Sequence, residues 1–214
     1  SRGLGDVYKR QEELSHNVDL LILCNPNNPT SSVIPRNQMR DILDYCKKKS
    51  ITVLVDETYV EFAPDVQAVT AIPLTEYYNN IIILRGISKF FAAPGLRLGY
   101  AICGNKDLLK EINQKKNPWT INSLAAIAGE IMFSDEEYIR KTRQLIASER
   151  ERICQAIRSM GAYQVYESNC NFVLVKIKKE GLTADHIFDT AIRQGLMIRD
   201  CSTFPFLNDC LLYT

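Results

Sequence analysis

Ile81-Ile82-Ile83-Leu84-Arg85-Gly86-Ile87-Ser88-Lys89-Phe90-Phe91, followed by Pro94-Gly95-Leu96-Arg97-Leu98-Gly99-Tyr100, is the stretch that decides the fold. An apolar run stops, a lysine follows at once, and an arginine comes eight residues later. Upstream, Val18–Cys24 leads into Asn25-Pro26-Asn27-Asn28-Pro29-Thr30, and Ile51–Val55 leads into Asp56-Glu57. Short continuous apolar runs of this kind fit strands buried on both faces. Between the first two, Met39, Ile42, Leu43 and Cys46 recur at helical spacing, and Lys47-Lys48-Lys49 suits a helix C-terminus. Strand alternating with helix predicts βαβ units and a mainly parallel sheet. In such sheets ligands bind beyond the carboxyl ends of the strands, which is where Asn28, Asp56 and Lys89 fall.

Leu98–Cys103 reads as a fourth strand, and the texture then changes. Asp107–Lys116 and Ile121–Phe133 are predicted helices around Pro118-Trp119. Ser134-Asp135-Glu136-Glu137 opens a long amphipathic helix with Ile139, Ile146, Ile153 and Ile157 on one stripe. Past Gly161 the pattern predicts strands Tyr163–Tyr166 and Asn171–Ile177, a helix from Thr183 to Arg193, and a strand Leu196–Arg199. The expected division is a partial large domain over 12–133, a connecting helix over 134–160 and an incomplete smaller α+β domain over 161–209. Residues 1–11 and 210–214 read as translated adapter junctions and are set aside, which implies a fragment lacking both ends.

Composition excludes several classes. With 46% hydrophobic and 24% charged residues in 214, this is ordinary globular usage. Twenty-six Lys and Arg against 25 acids leave a net charge of +1, which is no basic footprint for nucleic acid or a membrane surface. Seven cysteines lack C-x-x-C spacing and only two histidines occur, far apart; buried reduced thiols are expected, and no metal site. No apolar segment approaches the roughly 20 residues that span a bilayer. A cytoplasmic location is the default expectation.

Taken singly, the polar groups have plain readings: a turn at Asn25–Thr30, a helix cap at Asp56, a solvated charge at Lys89. Jointly they can hold an aldehyde cofactor, because a lysine amine adds to a carbonyl while a carboxylate and an arginine bind its charged ends. As a set, Asn27-Asn28-Pro29-Thr30, Asp56-Glu57-Thr58-Tyr59, Ser88-Lys89 and Gly95-Leu96-Arg97-Leu98-Gly99 closely resemble the pyridoxal-phosphate enzymes of the class I/II aminotransferase family (fold type I). The resemblance runs from about Glu12 to Asp209. It implies a three-layer large domain with a mainly parallel sheet, then a smaller α+β domain, both partial here.

The resemblance also implies roles. Lys89 would form the Schiff base with pyridoxal 5'-phosphate. Asp56 would face the pyridine nitrogen and keep it protonated. Tyr59 and Asn28 would hydrogen-bond the ring's phenolic oxygen, while Arg97 and Ser88 would hold the phosphate. Catalysis is thus expected of Lys89, Asp56 and Tyr59. Gly86 departs from the pattern, since many relatives carry Ser or Thr three residues before the lysine. His186 reads as a helix-surface residue, and Trp119 as a packing or subunit contact.

Within the family, Pro118–Ala125 and Ile198–Phe204 look most like threonine-phosphate decarboxylases of cobalamin biosynthesis. Asn25–Thr30 and Asp56–Phe62 are shared equally with histidinol-phosphate aminotransferases. Both act on small phosphorylated amino compounds, and the resemblance implies a homodimer. It also places a phosphate-binding turn and a ring-stacking aromatic before position 12, so activity is an expectation for the full-length parent. Two rivals stand beside this. Ile51–Glu57 has a Walker-B look, but none of the ten glycines precedes a lysine, so no P-loop supports a nucleotide hydrolase. A non-catalytic cofactor-binding module of a fusion or regulator stays open.

Overall fold

Residues 18–213 are described by the computed structural model. They fall into two compact units. One takes the described residues up to Pro26, then Val33–Val60 and Asp65–Ser134; the other takes Asn27–Ser32, Glu61–Pro64 and Asp135 onward.

The first unit is built on four strands, β1 (Leu20–Cys24), β2 (Thr52–Asp56), β3 (Ile81–Gly86) and β4 (Gly99–Cys103), adjacent in that order. The first three are parallel and β4 runs back against β3. Helix α1 (Arg36–Lys48) connects β1 to β2, and its buried residues Met39, Ile42, Leu43 and Cys46 are those of the helical spacing. They pack with Val53, Val55, Ile81 and Ile83, one parity of the strands, into a single core cluster. Each fully buried aliphatic side chain there contributes on the order of 1.5–3 kcal/mol.

The other parity differs from the reading of strands buried on both faces. Leu20 and Ile22 of β1 are 46% and 61% exposed. α1 and the Ile72–Glu76 turn supply apolar partners to one face, and among the described residues the other face has less cover. That second face carries Cys24, Asp56 and Gly86 at its carboxyl end, since residues two apart in a strand share a face. At the end of β4, Gly104 is fixed by close approach: a Cβ would lie 2.2 Å from the Thr75 carbonyl oxygen. A short helix α2 (Val66–Val69), then α3 (Lys106–Lys115) and α4 (Ser123–Ser134), complete the unit.

The second unit opens with α5 (Glu136–Ser159), capped by Asp135, whose carboxylate accepts from the Tyr138 amide at 2.9 Å. Its sheet joins β5 (Tyr163–Val165), β6 (Val173–Ile177), β7 (Arg199–Asp200) and β8 (Cys210–Tyr213) in the order β5-β6-β8-β7, all antiparallel. Helix α6 (Ala184–Arg193) starts at Thr183, which accepts from the His186 amide. Two expectations are corrected here. Cys210–Tyr213, set aside as a junction, is a buried central strand, because its Cys-Leu-Leu run pairs with β6 and β7. The strand expected over 196–199 is confined to Arg199–Asp200: Leu196 and Met197 stay exposed, and only Arg199 and Asp200 find partners on β8. Among the described residues no helix is long and apolar enough to cross a membrane.

Candidate active site

Asp56 ends β2, and the chain leaves the sheet through a turn that the aspartate itself stabilises. Its Oδ1 accepts from the Thr58 amide at 2.9 Å and from the Thr58 hydroxyl. Oδ2 accepts no hydrogen bond among the described residues, so half of a half-buried carboxylate is left to meet a ligand. Cys24 stands in register with Asp56 on β1. Burial first, and the Asp56 charge second, push the Cys24 thiol above its ordinary range. Cys24 therefore presents a neutral thiol beside the carboxylate.

Lys89 is displayed by its neighbours. Ile87 and Phe90 are buried, while Phe91 packs edge-on to Phe133 of α4 at 5.5 Å between centroids. These apolar anchors pin the turn after β3, and Lys89 between them is exposed. Its Nζ lies 5.8 Å from the centroid of the Tyr59 ring. Ser88 is half-buried beside it. The lysine and the phenol are thus brought together, and Asp56 lies three residues before that phenol, at the end of the adjacent strand.

Arg97 closes the 3-10 turn Pro94–Leu96 with φ 55° and ψ 43°, a left-handed conformation that costs a non-glycine residue about 1–3 kcal/mol. Its Nη1 donates to the Pro94 carbonyl at 3.0 Å and the side chain is exposed. The turn is held against the end of β3 by the Ile87 amide, which donates to the Leu98 carbonyl at 3.3 Å. Gly86 lies on the same face as Asp56, and a Cβ built there would meet only the Leu98 carbonyl oxygen, at 3.6 Å. That is bare, open backbone at the strand end.

Asn28 belongs to the second unit and is exposed in the loop Asn27–Ser32. There Asn27 Oδ1 accepts from the Thr30 hydroxyl at 2.8 Å, and the Asn27 amide donates to the Ser32 carbonyl. His186 is exposed in the first turn of α6. Trp119, expected as a packing or subunit contact, is 87% exposed among the described residues, which leaves the subunit contact as the remaining expectation. No group of side chains among the described residues could hold a metal ion. Two residues quoted in the sequence reading but given no role of their own there are Glu57, 1% exposed, and Arg85, which reaches it from the neighbouring strand. The signal for them was an arginine closing an apolar strand four residues before the lysine.

At the strand ends of this α/β unit an amine and a phenol stand together and a carboxylate closes the adjacent strand, a set whose chemistry could take up an aldehyde-bearing aromatic cofactor. The family model for aminotransferase class I and II matches residues 2–211, and the chain belongs to that family. It is 32% identical over 197 residues to a threonine-phosphate decarboxylase of Salmonella typhimurium, covering 92% of this chain and 53% of that one. The crystal structure of a histidinol-phosphate aminotransferase from Clostridium acetobutylicum superposes with a TM-score of 0.89 at 29% identity, over 98% of this chain and 61% of that one. A histidinol-phosphate aminotransferase from Sinorhizobium meliloti, solved in complex with pyridoxal-5'-phosphate, gives 0.80 at 26% identity, over 94% and 54%. The chain spans about half the length of the curated relatives it matches.

Pyridoxal 5'-phosphate is the cofactor that goes with this family, whose members are enzymes. The residues present fit it. The unpaired Asp56 Oδ2 suits a protonated ring nitrogen, and the amine beside Tyr59 suits an aldehyde next to a phenolic oxygen. An exposed guanidinium and a hydroxyl suit a phosphate.

Proposed function

We propose that the parent of this chain is a homodimeric enzyme acting on a small phosphorylated amino acid, and most specifically an L-threonine O-3-phosphate decarboxylase. The observation that carries the enzymatic part is the Lys89 amine held 5.8 Å over the Tyr59 ring at the carboxyl edge of the sheet. The substrate class rests on relatives named for phosphorylated compounds and on the likeness of Pro118–Ala125 and Ile198–Phe204 to the decarboxylase branch.

When bound, the cofactor takes up an amino group at its aldehyde and draws electrons from the carbon that carries it. Lys89 would supply the amine that anchors the aldehyde, and the same amine could serve as the base or acid that moves a proton. Asp56 holds a proton on the ring nitrogen, because a carboxylate nearby favours the charged form of a base. Tyr59 donates to the phenolic oxygen. Arg97 and Ser88 would hold the phosphate, the arginine by charge and N–H donors and the serine by its hydroxyl. Which substrate bond breaks depends on which one the site holds perpendicular to the ring: loss of carboxylate is decarboxylation, and loss of the α-proton is transamination.

The assay is direct. With O-phosphothreonine, the intact protein is expected to release one carbon dioxide per turnover without any added keto acid. Turnover that requires a keto acid and histidinol phosphate would replace the decarboxylase by the aminotransferase, a reading favoured by the structural match to the C. acetobutylicum enzyme.

Gly86 gives an independent handle on the phosphate. Its backbone admits a side chain and its Cβ direction is open, so Gly86→Ser adds a hydroxyl on the face of Asp56 without displacing anything. One added hydrogen bond to a charged group is worth about 1.5–3 kcal/mol at best. The variant is expected to bind the cofactor about tenfold more tightly in a fluorescence titration. Unchanged or weaker binding would mean that the phosphate lies elsewhere.

A further inference from the structure

Directly beside Asp56, on the opposite face of the sheet, sits a buried ionic cluster. The Glu57 side chain is fully buried and that of Arg85 is 11% exposed. Glu57 Oε2 accepts from Arg85 Nε at 3.0 Å and from Arg85 Nη2 at 2.8 Å. It also accepts from the Thr70 hydroxyl at 2.8 Å, while Oε1 accepts from the Ala71 amide at 2.6 Å. Thr70 Oγ1 in turn accepts from Arg85 Nη2 at 2.8 Å. On the main chain, the Glu57 amide donates to the Leu84 carbonyl at 2.9 Å. Every polar atom of the Glu57 side chain is therefore used, and the cluster ties together three segments of the first unit.

Stability alone does not call for such a group. Two charges taken out of water lose much of their attraction to desolvation, and apolar residues of similar volume are often as stable or more so. What an ionic cluster adds is direction: two guanidinium nitrogens of Arg85 converge on Glu57 Oε2 while the Ala71 amide holds Oε1, and such charge-assisted bonds tolerate little sliding. The placement gives that direction a use. Glu57 adjoins Asp56 in the chain, and Arg85 precedes Lys89 by four residues on the neighbouring strand. We propose that Glu57, Arg85 and Thr70 are positioning residues, a rivet that holds the carboxyl ends of β2 and β3 at one spacing and so fixes the Asp56 carboxylate relative to the Lys89 amine. This rests on the reading that those two residues take the cofactor.

The test replaces the ionic pair without leaving a charge buried. Glu57→Leu with Arg85→Met fills similar space with apolar atoms, and Thr70→Val removes only the shared hydroxyl. Both are made in the intact protein loaded with pyridoxal 5'-phosphate. Two readouts are taken beside thermal unfolding: cofactor affinity, and the pH midpoint of the bound cofactor's visible absorbance. The double variant is expected to stay folded but to unfold several degrees below wild type, because Glu57→Leu also removes the acceptor of the Ala71 amide and the Thr70 hydroxyl. It should bind cofactor at least tenfold more weakly, with the pH midpoint displaced, because misplacement by about 1 Å is enough to spoil a site. Thr70→Val should move both readouts the same way by a smaller factor, about threefold in affinity.

Affinity and midpoint both unchanged in a folded double variant would overturn the proposal and leave the cluster a purely structural one. If the double variant does not fold, Thr70→Val decides by the same criterion. A wild-type spectrum indifferent to added cofactor, or identical to that of Lys89→Ala, would instead bring down the underlying assignment of Lys89.

Discussion

Lys89→Ala is expected to abolish turnover, lowering kcat by at least about 10⁴-fold, the scale on which enzymes lose activity when a covalently acting group is removed. The fold should hardly notice. Lys89 is exposed and the turn that carries it is pinned by Ile87, Phe90 and Phe91, so the change in unfolding free energy should stay within about 0.5 kcal/mol. Lys89→Arg should be equally inactive despite keeping the charge, since a guanidinium is not a nucleophile at neutral pH. Activity in either variant within tenfold of wild type would assign the amine a surface role. Circular dichroism and thermal unfolding on the same samples separate chemistry from folding.

The next largest effect is expected at Asp56. Asp56→Asn retains an acceptor for the Thr58 amide and hydroxyl, so the turn after β2 stays in place. What it removes is the negative charge proposed to keep a ring nitrogen protonated. Loss of one preorganised electrostatic partner typically costs about 10²–10³-fold in kcat, or about 2.7–4 kcal/mol. The effect should fall on kcat more than on KM, because the charge is assigned to the ring nitrogen and not to the substrate. A second, cofactor-free readout comes from Cys24, whose thiol is pushed up by burial and, in lesser part, by the Asp56 charge. Removing that charge lowers the thiol pKa, so alkylation of Cys24 at a fixed pH near neutrality should quicken. An Asp56→Asn protein with kcat within threefold of wild type would place the ring nitrogen away from this carboxylate.

Legibility differed from element to element. Strand positions could be read because Val53, Val55, Ile81 and Ile83 form continuous apolar runs, and α1 because Met39, Ile42, Leu43 and Cys46 repeat at helical spacing. Whether both faces of the sheet are covered could not, because a run such as Leu20–Cys24 looks the same with one packed face or two. β8 was missed for a related reason: four residues near the chain end acquire meaning only when β6 and β7 are there to pair with them.

In the site, Lys89 and Asp56 stood out because each follows an apolar strand. Arg97 could be read as a residue but not as a conformation; its left-handed backbone comes from the turn that folds back on β3. Glu57 and Arg85 were hidden by their separation of 28 positions, and Thr70 by its ordinariness. Their common property is burial, which arises only when β2 and β3 align and the Thr70–Ala71 segment closes over them.

One measurement bears on the central claim more directly than any rate. The intact protein is incubated with pyridoxal 5'-phosphate, reduced with borohydride, digested, and mapped by mass spectrometry. A single pyridoxyl-phosphate adduct at Lys89 at near-stoichiometric yield, absent from Lys89→Ala, is the expected result. An adduct at another lysine, or label spread thinly over the exposed lysines in wild type and variant alike, would contradict it.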